Sequence, residues 1–89
     1  MPDPHMHNES LRAGEPVAIG DVRLLPIEKI SIQSDRGRAG LWVRASKELF
    51  AVIVRGPGGI RACDPSGAAV SVETLAEEIS GLDALLASL

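Results

Sequence analysis

Apolar positions in this chain fall into short runs separated by turn-forming residues, and one run dominates. Leu49-Phe50-Ala51-Val52-Ile53-Val54 shows no alternation between a wet and a dry face, which predicts a central strand covered on both sides. Gly56-Pro57-Gly58-Gly59 then predicts a four-residue hairpin loop into Ile60-Arg61-Ala62-Cys63. Upstream, Val17 and Ile19 share one face of a short strand, and Gly20-Asp21 supplies a tight turn. Extended structure resumes at Val22, with Pro26 marking either an edge strand or a bend. Ile30 and Ile32 set a further strand over residues 27–32. Residues 34–40, Ser-Asp-Arg-Gly-Arg-Ala-Gly, read as a flexible exposed loop of the kind that often carries function. Residues 41–44 alternate again, with Leu41 and Val43 on one side and Trp42 and Arg44 on the other, and residues 45–48 read as a connection to the dominant run.

The period changes near the C-terminus. Asp64-Pro65-Ser66-Gly67 has the form of a turn with proline at a favoured position. Ser71 is a candidate N-cap for a helix over 72–79, whose apolar face is Val72, Leu75, Ala76 and Ile79. Gly81 ends that helix, and a second over 82–89 places Leu82, Leu85, Leu86 and Leu89 inward. Residues 1–10 hold two prolines and no periodic pattern, so they read as a mobile tail. The expected architecture is α+β: one domain over residues 11–89, a small mainly antiparallel sheet of four to six short strands, and a C-terminal helical segment packed on one face.

Composition narrows this picture. Trp42 and Phe50 are the only aromatic residues among 89, so the core is aliphatic, Trp42 is expected inside it, and dimerisation would add to its burial. A single cysteine, Cys63, allows no internal disulfide, and no leading apolar segment precedes a cleavage site. The expected location is the cytoplasm. No apolar run approaches the roughly 18 residues needed to cross a bilayer.

Charge is sorted along the chain more sharply than its formal net value of −3 suggests. Residues 22–61 carry eight basic residues against three acidic ones, whereas residues 64–89 carry five acidic residues and no basic one. One reading makes these solvated faces whose opposite signs help the acidic tail dock on the sheet. The other is an anion-binding surface, for which Arg36, Arg38 and Arg44 are the candidates, with Trp42 placed to stack on a base.

Catalytic residue types are scarce. The two histidines, His5 and His7, lie in the N-terminal segment, which removes the commonest general base from the folded region. They flank Met6, but two histidines without a further ligand are too few to close a metal site. Cys63 lacks a histidine partner and reads as a small buried hydrophobe. The glycine-rich turn at 56–59 joins two strands and opens no helix, so it lacks the geometry of a phosphate loop. No catalytic, cofactor or metal residues are assigned.

Gly14-Glu15-Pro16-Val17-Ala18-Ile19-Gly20-Asp21, followed by Leu24-Leu25-Pro26-Ile27 and Lys29-Ile30, resembles the opening of the YtfJ/GerW sporulation protein family. Leu41 to Val54 is similar to that family's later segment, so the resemblance spans residues 14–54. It lacks the family's long glycine-rich insert and does not reach the acidic leucine-rich end. The resemblance implies a small β-rich, non-enzymatic module and transfers no catalytic residue. The sequence thus points to an accessory or protein-interaction module, self-associating or partnered with another protein. The alternative is an anion- or nucleic-acid-binding domain built on the same arginines.

Overall fold

The structure, a computed structural model, describes residues 6–37 and 40–89. Six strands form one antiparallel sheet, followed by two short helices: β1 Met6–Ala13, β2 Val17–Ile19, β3 Val22–Gly37, β4 Gly40–Gly56, β5 Gly59–Cys63, β6 Ala69–Val70, α1 Val72–Glu78 and α2 Leu82–Ala87. The order across the sheet is β1-β3-β4-β5-β6, with β2 pairing β3 beyond the end of β1. The expected α+β class and its C-terminal helical cover are therefore present.

Two strands are far longer than the alternation predicts. β3 runs unbroken through Pro26, and β4 takes in the residues expected to form a connection at 45–48. Pro26 is tolerated because its carbonyl accepts the Gly14 N–H at 2.8 Å. Its amide side therefore faces the gap where β1 gives way to β2, and the missing donor breaks no ladder. Residues 45–48 are held extended by pairing: Ala45 opposes Ile32, Ser46 opposes Ser31, Lys47 opposes Ile30 and Glu48 opposes Lys29. Cross-strand partners here override weak local preference. Ser34 to Gly37 likewise belong to β3 and not to a loop. The N-terminal segment differs too, since residues 6–10 are part of β1 and pair with residues 30–34. The hairpin between β4 and β5 closes tightly, with Gly56 opposite Gly59 and only Pro57 and Gly58 between.

One irregularity organises the whole sheet. Ile27 opposes Ala51 but Glu28 opposes Leu49, so Phe50 is an extra residue on β4, a β-bulge. Side chains alternate along a strand, so inserting one residue exchanges the faces beyond it. On the proximal side of the bulge, Leu25, Ile27, Ala51, Ile53 and Ala62 form the buried face. Leu75, Ile79 and Leu82 close over it from the helices. At seven and six residues, α1 and α2 are too short to persist alone and depend on this burial. Ser71 caps α1, its hydroxyl accepting the Thr74 N–H at 3.2 Å. Gly81 precedes α2 at φ 81° and contributes no side-chain cap.

No ion pair among the described residues joins the acidic tail to the sheet. The two ion pairs seen among the described residues, Lys29 with Glu9 at 3.3 Å and Lys47 with Glu28 at 2.8 Å, both lie within the sheet. The polar link to the tail is instead Arg55, whose Nη1 donates to the carbonyls of Leu86 at 3.3 Å and Leu89 at 3.2 Å. A cation there also meets the negative end of α2.

Distally, β1, β3 and β4 continue beyond the helices as an arm. The molecule measures 56 × 24 × 23 Å with a radius of gyration of 16.6 Å, against about 12 Å for a compact chain of this length.

Candidate interaction surface

Facing away from the helices, the sheet carries exposed apolar residues from β2, β3 and β4 among polar ones such as Arg12, Glu28, Ser34 and Lys47. Val17 and Ile19 from β2, Ile32 from β3, and Leu41, Val43 and Leu49 from β4 are all exposed on this open face. Half-buried Leu24, Pro26, Val52 and Val54 join them into one stripe. The expectation that the dominant run is covered on both sides is thus half met. Ala51 and Ile53 are fully buried under the helices, while Val52 and Val54 look out onto the open face.

The helix-side face of the arm is polar by contrast. Registers place Lys29, Ser31, Gln33 and Asp35 of β3 beside Glu48, Ser46, Arg44 and Trp42 of β4. Trp42 is 46 % exposed there, not part of the core. Phe50, the bulged residue, lines a shallow groove with Glu9, Leu11, Lys29 and Glu78.

The candidate arginines do not converge. Arg36 opposes Leu41 and projects on the apolar open face, whereas Arg44 opposes Gln33 on the polar face. Arg38 lies outside the described residues. Trp42 shares a face with Arg44 and with Asp35, its direct partner. Of the two described candidates, each face carries one guanidinium.

Among the described residues, the Lys47–Glu28 ion pair punctuates the open face. The Glu28 carboxylate lies over Gly14, where a side chain would collide with it and come within 3.1 Å of Pro26 Cγ. Lys47 reaches inward across β3 to hold that carboxylate. Near the helices, Asp64 organises the turn before β6. Its Oδ1 accepts from the Ser66 hydroxyl at 2.6 Å and from the Ser66 and Ala68 amides, each at 2.9 Å. The Ser66 hydroxyl, then the Ala68 amide, hold its carboxyl below the usual aspartate range. Cys63 is half-buried opposite Val52. Among the described residues no three His, Cys, Asp or Glu side chains are grouped as metal ligands would be.

Sequence reasoning missed the open face because it read residues 45–48 as a connection. The signal was a phase change: apolar residues recur at 41, 43 and 49, then at 52 and 54. An odd series that becomes even within one strand marks a bulge. No family model, no curated protein and no solved structure matches the chain. No described helix is long and apolar enough to cross a membrane.

Proposed function

We propose that this chain is a non-enzymatic interaction module that binds a protein partner through the open face of its sheet. The observation that carries this reading is the uncovered stripe, on which Leu41 is 64 % exposed and Val43 61 %. Exposed apolar side chains gathered on one sheet face mark a surface for a partner. The matching partner presents an apolar sheet or helix face, flanked by an acidic group for Arg36 at the distal end. Scarcity of general bases supports a binding role over catalysis, as does the separation of titratable groups. The single half-buried cysteine suits the cytoplasm.

The test compares proteins retained by the wild-type chain and by Val43→Asp in its native cells. Val43 is exposed, so the substitution spares the core. A protein held by the wild type and lost with Val43→Asp, but kept with the polar-face change Gln33→Glu, is the expected result. Equal retention by all three removes the open face from function. Retention of the chain on single-stranded DNA, abolished by Arg36→Ala with Arg44→Ala, would replace this reading with the anion-binding one.

A further inference from the structure

A second surface points to a second kind of contact, independent of what the open face binds. β4 pairs β5 only from Val52 to Gly56. Among the described residues, 40–50 therefore have a strand neighbour on one side, β3, and an unpaired backbone edge on the other. Every one of these residues is exposed. A long free edge is ordinarily guarded by an outward lysine, a proline or a short length. Here there is no proline in residues 40–50, and the lysine at the middle, Lys47, is drawn inward to Glu28 at 2.8 Å. The opposite edge of the sheet, β1, carries Asn8, Glu9, Ser10 and Arg12 and is polar.

We infer that the β4 edge is completed by the β4 edge of a second copy, antiparallel, about a twofold axis at Ser46. Symmetry limits the choices. A twofold that pairs antiparallel strands stands perpendicular to the sheet and preserves its faces, so it must pass beside a residue that opposes its own copy. Centring it on Arg44 sets two guanidiniums against each other, and centring it on Lys47 does the same with two ammoniums. Centring it on Ala45 sets Val43 against Lys47 and Trp42 against Glu48. Centring it on Ser46 sets Arg44 against Glu48, Val43 against Leu49 and Trp42 against Phe50, each pair occurring twice. These charge, aliphatic and aromatic pairs are complementary, and Ala45 faces Lys47 between them. The new ladder spans residues 42–50 and stops where β5 begins. Two arms become one continuous sheet, with both apolar open faces on the same side.

Sedimentation of the full chain over a concentration series tests the pairing, alongside Arg44→Glu, Glu48→Arg and the double variant. Each single reversal places like charges opposite one another twice and shifts dissociation to at least tenfold higher concentration. The double variant restores wild-type association. The register is read separately by mild oxidation of Ser46→Cys and Ala45→Cys, each carried with Cys63→Ala. Directly opposed strand residues lie within disulfide reach, so Ser46→Cys links two copies and Ala45→Cys does not. A wild type that sediments as a monomer at all concentrations overturns the proposal, as does cross-linking through residue 45 and not 46. The circular dichroism of each variant is recorded with it, and a misfolded reversal leaves the cysteine pair to decide. The Arg44 and Glu48 variants lie on the helix-side face and keep the open face intact, so partner retention by them separates failure of this pairing from failure of the open-face reading.

Discussion

Truncating Leu82 to alanine probes whether the helices are a true layer of the fold. Leu82 is fully buried at the start of α2, a helix of six residues without a side-chain cap. The change removes three buried carbons, about 2.4 kcal/mol at about 0.8 kcal/mol each, and incomplete collapse of the void brings the cost to about 3 kcal/mol. A domain of this size has a total stability of about 4–13 kcal/mol, so the loss is a substantial fraction of it. With a urea dependence of about 1 kcal/mol/M, the unfolding midpoint falls by about 2–3 M. Leu85, in the same helix but 39 % exposed, is the control: Leu85→Ala alters helix propensity equally and costs less than about 1 kcal/mol. Circular dichroism in urea, at concentrations low enough to keep the chain monomeric, reads both. Equal midpoints for the two variants would show that α2 does not pack on the sheet through Leu82, and the two-layer description would fail.

Three further outcomes follow from the polar contacts. Arg55→Met keeps the aliphatic stem but loses both carbonyl contacts of α2; it should lower stability by about 1 kcal/mol and speed hydrogen exchange in residues 84–89 while β3 is unchanged. Asp64 titrates below its ordinary value in the fold, so the advantage of wild type over Asp64→Ala is full above that ordinary value and fades as pH falls through the lowered one. Thermal melts across acidic pH check this, and an advantage independent of pH would refute it. Gly14→Ala should displace the Glu28 carboxylate and cost about 1 kcal/mol, with Lys47→Ala then costing less than it does in the wild type; a double-mutant cycle reads the coupling.

Local chemistry made part of this fold legible. Ser71 and Gly81 punctuate the helices where capping and left-handed backbone require them. The run at 49–54 lies at the centre of the sheet, and the turn at 56–59 returns it to β5. What local pattern did not disclose was pairing at a distance. Residues 6–10 look irregular alone, yet they are extended because β3 offers a ladder. Residues 45–48 are polar, yet they continue β4 for the same reason. Trp42 is expected in the core, but the bulge sends it to the polar face. The candidate arginines suffered similarly: their closeness in sequence concealed the alternation that separates Arg36 from Arg44. The apolar stripe was written in the chain but in two phases, and only the register joins them.

Phe50 acts like a frame shift within a single strand. After it, β4 is read against the helices; before it, the same alternation is read against open solvent. A change in length at this one position would exchange the arm's two coats, turning Leu41, Val43 and Leu49 to the helix side and Trp42, Arg44 and Glu48 to the other. Substitutions along the arm alter what its surface offers, whereas a single deletion at the bulge would alter which way that surface looks. The arm's chemistry can therefore drift residue by residue while its orientation stays fixed by a count.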